Sequence, residues 1–190
     1  MRDAIVTRIP ASALALLALI ALFWGFNWPV LKIAVREAPI FWFRLVCVWG
    51  SALGLFAVAR LSGQSLGMPR GERGRLVWVS LFSIVGWNAF TGFGVLLLPA
   101  GRASMLGYTM PLWLALLSHF MLGQRVRGRE ALALALGLGG VVLLISADMG
   151  AVTRVPTGTL CMLAAAVSWA MGVALIKQRP FSVAPTVQTA

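Results

Sequence analysis

From Ala11 to Leu31 the chain carries no charged side chain, and a stretch so long and apolar suits only one solvent. A helix crossing the hydrocarbon core of a bilayer needs roughly 17 to 25 mostly apolar residues. Such runs recur at Pro39 to Ala59, Leu76 to Leu98, Ala103 to Leu122, Ala131 to Ala147 and Thr157 to Ile176. An all-α polytopic membrane protein with six transmembrane helices is therefore expected. The residues are 60% hydrophobic and only 11% charged, whereas about a quarter of a soluble domain is charged. The first run does not read as a signal peptide. Its apolar core is too long, no small-x-small cleavage site follows, and further spans come after it.

The net charge of +11 raises the question of nucleic acid. The basic residues sit in short clusters between apolar runs, without a recognition motif, so no nucleic-acid partner is expected. Their distribution reads instead as a topology signal. Arg2, Arg8, Arg60, Arg70, Arg73, Arg75, Arg125, Arg127, Arg129, Lys177 and Arg179 fall on one side of the expected spans. Lys32, Arg36, Arg102 and Arg154 fall on the other, and Arg44 lies within a span. Cytoplasmic loops carry the excess of Lys and Arg. The chain is thus expected to be multi-pass in the cytoplasmic (inner) membrane, with both of its ends cytoplasmic.

A repeat runs through this pattern. FWGFNWPVLK, Phe23 to Lys32, has a fainter echo in SWAMGVALIK, Ser168 to Lys177. Trp24 matches Trp169 and Lys32 matches Lys177 at one offset, and Ala184-Pro185 matches Ala38-Pro39 one residue later. An odd number of spans separates the copies, so the second enters the membrane from the opposite side. Inverted-topology repeats of this kind build many secondary transporters.

Several segments in order resemble the drug/metabolite transporter superfamily, in its EamA-type branch. They are Trp24-Gly25-Phe26-Asn27 closing helix one, then Pro39 and Arg44 early in helix two. Next come the short connection Ala100-Gly101-Arg102-Ala103-Ser104, the mid-helix Pro111 and Leu122-Gly123-Gln124-Arg125-Val126. The glycine-rich Gly139-Gly140-Val141-Val142-Leu143-Leu144 follows. Gln124 stands where the family commonly has Glu. The resemblance implies ten helices in two inverted repeats. Residues 11–147 would be the first five-helix repeat and 157–190 the start of the second, leaving roughly four helices outside this chain. It also implies alternating-access transport of a small metabolite, amino-acid-like solute or drug. The alternatives are a truncated or non-transporting small membrane protein and a dual-topology dimer, the latter disfavoured by the strong charge bias. Besides the lipid bilayer and a small-molecule substrate, self-association is the partner left open.

Catalysis finds no footing. Asp3, Glu37, Glu72, Glu130 and Asp148 all lie outside the expected spans or at their ends, and His119 is the sole histidine. Metal sites want three or four ligands, and acid–base chemistry wants placed pairs. No enzyme activity, metal or cofactor is expected. Cys47 and Cys161 each sit in an apolar run, with no C-x-x-C pair.

Polar groups inside the spans are the remaining pointers to a solute site. Asn27 lies about 6 Å below the end of span one, and Arg44 and Tyr108 about 8 Å in from the same side. Trp87 and Asn88 lie deeper, near the middle of span three. An intramembrane arginine costs about 2.5 to 3.5 kcal/mol on insertion scales, so it needs either a way out to water or a partner. The expected substrate-binding residues are Trp24, Asn27, Arg44, Trp87, Asn88 and Tyr108, with Arg44 facing an anionic group. Lys32, Trp28, Trp42 and Trp78 read as interface anchors. The small residues Ala133, Ala135, Gly137, Gly139 and Gly140 of span five, and Ala164 to Ala166 of span six, read as close helix contacts. The charge pattern predicts that reporter fusions after Arg36, Arg102 and Arg154 read outside, and fusions after Arg73, Arg127 and Arg179 read inside. A mixed signal at any one of these sites contradicts the six-span count.

Overall fold

The computed structural model describes residues 10–124, 128–147 and 156–189. Arg2, Asp3, Arg8, Arg125, Val126, Arg127, Asp148 and Arg154 lie outside them. The regular structure of the described residues is helical throughout. The helices are α1 (Ala11–Glu37), α2 (Ile40–Leu61), α3 (Arg70–Leu97), α4 (Ala100–Leu122), α5 (Gly128–Ala147), α6 (Pro156–Gln178) and the short α7 (Pro185–Thr189). Among the described residues, α1, α2, α3, α4 and α6 have the length and hydropathy to cross a membrane. The apolar α5, 20 residues long, covers the fifth expected span but is not one of those five.

Proline punctuates the chain. Pro10, Pro39, Pro69 and Pro99 stand at the N-caps of α1 to α4. A proline there has no N–H to waste, and it holds the residue before it extended. At the other end of α4, Gly123 takes the left-handed conformation (φ 62°) and returns its N–H to the Ser118 carbonyl. Glycine adopts that conformation without the steric cost of a Cβ. Within α4, Pro111 cannot donate to the carbonyl four residues back. The helix breaks there into Ala100–Gly107 and Met110–Leu122, and the Thr109 hydroxyl bonds the Leu106 carbonyl at 2.7 Å.

Helix α6 holds the centre. In its most apolar stretch 44% of residues are buried, against none in the corresponding stretch of α2, most of whose large apolar side chains are exposed. It runs antiparallel to α3 in a constant register, with Gly158 against Leu97 and Leu98, Met162 against Gly94, Ser168 against Gly86 and Gly172 against Ser83. Small residues let two backbones approach, and in lipid that approach is a main source of helix association. A Cβ on Gly172 would sit 2.6 Å from the Ser83 Cβ, and one on Gly158 would sit 2.9 Å from the Leu97 Cβ. Ala165 and Ala166, expected as contact residues, have no exposed surface. The corresponding expectation for α5 does not hold. Ala133, Ala135, Gly139 and Gly140 are exposed, and only Gly137 meets a neighbour, Leu112. Small side chains permit close approach but do not cause it. The face of α5 that carries them has no helix opposite it among the described residues.

The α1 end of the bundle closes around one buried cluster. Trp28, Leu31 and Val35 of α1 meet Val95 and Leu98 of α3, Ala103 and Leu106 of α4, and Met162 of α6. Trp28 is therefore not an interface anchor. It is 5% exposed, its ring covers Gly107, and its Nε1–H donates to the Tyr108 hydroxyl at 3.0 Å. Spacing explains this, because positions 28, 31 and 35 share one helical face. Trp42 and Trp78 do point outward, at 68% and 60% exposed. Lys32 turns inward as well. Its ammonium donates to the carbonyls of Val95 (2.7 Å), Leu96 (2.8 Å) and Leu98 (2.8 Å). The last carbonyls of a helix have no partners within it, and a cation there also meets the negative end of the helix dipole.

The packing yields a paired test. Gly172→Leu should overpack the α3–α6 seam and lower stability in detergent by about 1–3 kcal/mol, as core overpacking does. A Cβ at Gly139 would meet nothing within 4 Å. Gly139→Leu should therefore leave the melting temperature almost unchanged. Equal melting of the two variants would contradict the seam.

Candidate functional site

The residues of the site grow out of an irregularity in α3. Between Leu81 and Gly86 the helix widens into a π segment. Such segments shift the carbonyl register, expose backbone acceptors and often mark functional positions. Two side chains use the acceptors. Ser168 of α6 donates to the Phe82 carbonyl at 2.7 Å, tying the seam, and Asn88 Nδ2 donates to the Ile84 carbonyl at 2.9 Å. The second bond orients the Asn88 amide so that its Oδ1 faces α2.

Arg44 reaches across from α2 to meet it. Its Nη1 donates to Asn88 Oδ1 at 3.0 Å and its Nη2 to the Thr91 hydroxyl at 2.7 Å. Thr91 passes its own proton to the Trp87 carbonyl at 2.6 Å. The guanidinium is thus held by two neutral acceptors on one face of α3. Its Nε lies buried with no hydrogen-bond partner among the described residues. Arg44 does not snorkel; it is fixed in the interior of the α2–α3 contact.

A groove of 380 Å³ opens beside it, walled by Phe41, Trp42, Leu45, Ile84 and Asn88. A larger hollow of 720 Å³ continues along α2 and α3 toward α6 and α7, with Ser51, Ser80, Ser83 and Trp169 on its lining. The two share Val48, Ile84, Val85 and Asn88. They therefore adjoin, with Arg44 on the lining of the first and hydroxyl groups on the lining of the second.

The six expected site residues fall into separate places. Arg44 and Asn88 bond each other. Trp24 and Tyr108 stack at 6.3 Å between ring centroids, and Trp28 meets Tyr108 edge-on at 5.8 Å. Asn27 is exposed on α1, next to this aromatic group in sequence. Trp87 turns away from the groove and packs on the buried cluster. Adjacent residues on a helix point about 100° apart, which separates Trp87 from Asn88. Thr91 escaped the sequence reading, although its place three residues after Asn88 puts it on the same face. Among the described residues, no cluster of His, Cys, Asp and Glu could hold a metal ion, and Cys47 and Cys161 are free thiols.

Comparison with known proteins bears on what the groove and the hollow are for. The model of the EamA-like transporter family matches residues 11–146, most of the chain. The chain belongs to the EamA-like transporter family. Relatives include the uncharacterized transporters YoaV and YvbV of Bacillus subtilis. YoaV is 26% identical over 79% of this chain and 52% of its own length. YvbV is 30% identical over 90% of this chain and 56% of its own length. The aromatic amino acid exporter YddG of Ancylobacter novellus is 29% identical over 84% of the chain and 56% of its own length. This EamA-like chain spans about half the length of the curated relatives it matches. No solved structure gives a significant match.

Proposed function

We propose that this chain forms one half of a carrier in the cytoplasmic membrane. The carrier moves a small carboxylate-bearing metabolite, amino-acid-like solute or drug by alternating access, without enzymatic chemistry. Residues 11–147 act as the first repeat and 157–190 open the second, with both ends of the chain cytoplasmic. The second half enters the membrane from the other side and completes the solute path. Membership of a transporter family supports transport, and the relative YddG, an aromatic amino acid exporter, supports an amino-acid-like solute.

The observation that carries the reading is the state of Arg44. Among the described residues its hydrogen-bond partners are neutral, and its Nε–H has none. A cation in a membrane interior is costly unless it is paired. Asn88 and Thr91 set the plane of the guanidinium but leave its charge uncompensated. A solute carboxylate in the adjoining groove supplies the missing charge, and a planar fork of N–H groups suits a carboxylate. The rest of the solute extends along the apolar walls toward the serines. Trp24, Tyr108 and Asn27 line a second wall on α1 and α4, and Trp87 supports the first from behind.

The test compares an amino acid with its decarboxylated amine in proteoliposomes of the complete carrier. Arg44→Ala should cut amino-acid uptake at least about tenfold, the loss expected for a charge-assisted hydrogen bond. The amine should lose much less. Arg44→Lys, which keeps the charge but not the fork, should fall between. Wild-type uptake of the amino acid by Arg44→Ala, at equal expression, overturns the reading.

A further inference from the structure

Between α6 and α7 the chain runs through residues 179–184 without regular structure. This strap is held by the start of α3, and Arg75 is the centre of the contact. Its Nη1 donates to the Arg179 carbonyl and its Nη2 to the Pro180 carbonyl at 3.3 Å. Its guanidinium carbon lies 3.8 Å from the centroid of the Phe181 ring. Those carbonyls stand just past the end of α6, where backbone acceptors lack helical partners and the helix dipole favours a cation. Glu72, three residues before Arg75 and so on the same face of α3, accepts the Ser182 N–H at 3.2 Å. One turn of α3 thus grips four successive residues of the strap.

Beyond the strap, α7 is tied to the link between α2 and α3. The Thr186 hydroxyl donates to Gln64 Oε1, and Val187 is buried. Val187, Gln188 and Thr189 line the 720 Å³ hollow together with Leu66, Met68 and Leu76. Leu66 and Met68 precede α3 and Leu76 lies in its second turn, so this end of the hollow is level with the strap. It is also the end that the charge pattern assigns to the cytoplasm. The contacts differ in kind from the α3–α6 seam. Glu72, Arg75 and Phe181 are half-buried and Ser182 is exposed, and cation–π and hydrogen-bond contacts within reach of water are individually weak. They part without disturbing the buried glycine and alanine packing of α6. A short irregular segment between two helices is where a hinge absorbs such a change.

We propose that residues 179–184 are a latch, fastened by Arg75 and Glu72, that holds α7 across the cytoplasmic end of the 720 Å³ hollow. Release of the latch swings α7 from α2 and opens the hollow to the cytoplasm, while α6 stays in its seam. The role rests on the reading of groove and hollow as a solute path. Its test needs no transported solute, so the latch and the Arg44 reading fail or hold separately.

A thiol inside the hollow reports the opening. Ser80 lines it, about 15 Å along α3 from Arg70. Ser80→Cys is placed in the 190-residue chain with Cys47→Ala, and Cys161, which lines neither groove nor hollow, is kept as an internal control. A membrane-impermeant maleimide is added to inside-out vesicles, and labelling of each thiol is followed by mass spectrometry. The reagent attacks thiolate, which forms where water reaches. Arg75→Ala should speed labelling of Ser80→Cys at least about tenfold, because it removes several contacts of a charged group at once. Phe181→Ala and Glu72→Ala, which each remove one contact, should speed it severalfold. Arg70→Ala removes the same charge without touching the strap and should change nothing. Cys161 should react at one slow rate throughout. Equal labelling of Ser80→Cys in all variants, or equal acceleration by Arg70→Ala, overturns the latch. So does Cys161 labelling that rises in step, because the variants then loosen the whole bundle.

Discussion

The close approach of α3 and α6 is the constraint from which the rest of the arrangement follows. Glycines at 86, 94, 158 and 172 and alanines at 165 and 166 bring the two backbones together along the length of both helices. In water a stripe of alanines would gain little from burial. In lipid, where exposed leucine costs nothing, such contacts and the hydrogen bonds they admit are what hold helices together. The seam sets the height of the π segment, because Ser168 bonds Phe82 and Ser83 sits under Gly172. The π segment in turn offers the Ile84 carbonyl to Asn88, and Asn88 receives Arg44. These four contacts join helix packing to the one charge in the groove.

A second theme is the handling of backbone carbonyls where no water can reach them. Several breaks in helical regularity are met by a named donor. Lys32 serves the end of α3, Thr109 the break before Pro111, Ser168 the Phe82 carbonyl, and Asn88 the Ile84 carbonyl. An unserved carbonyl in hydrocarbon costs several kcal/mol, so irregular backbone survives at membrane depth only where protein or a cavity supplies a partner. The Lys32 contact also fixes the angle between α1 and α3. It therefore positions the Trp24, Trp28 and Tyr108 cluster relative to the Arg44 groove.

Much of this was legible in the chain itself. Apolar runs bounded by prolines located the membrane-crossing helices, because lipid demands length and proline marks the starts. Arg44 and Asn88 were visible as polar groups that lipid would not tolerate without a reason, and they bond each other. What stayed hidden depends on which face a helix turns inward. Trp28 reads as an anchor by its place near a span end, yet it lies on the face of Leu31 and Val35. The small residues of α5 look like contact residues, while those of α6 are. Composition cannot tell these helices apart, since both are apolar and rich in small residues. The π segment left no trace in Leu81 to Gly86, a stretch that reads as ordinary apolar helix. Thr91 reads as a passive helix residue until α2 is placed beside it.

The whole arrangement depends on α6 packing within its own chain, in register along α3. Disulfide trapping tests it most directly, in membranes, on a background of Cys47→Ala and Cys161→Ala. Cysteines bridge only when their Cα atoms lie within about 7 Å. Gly94→Cys with Met162→Cys, and Ser83→Cys with Gly172→Cys, should each form an intramolecular bridge. The crossed pair, Ser83→Cys with Met162→Cys, should form none. Bridges at the crossed pair, or bridges only between two chains, would show that α6 lies elsewhere and that the groove beside Arg44 is built differently.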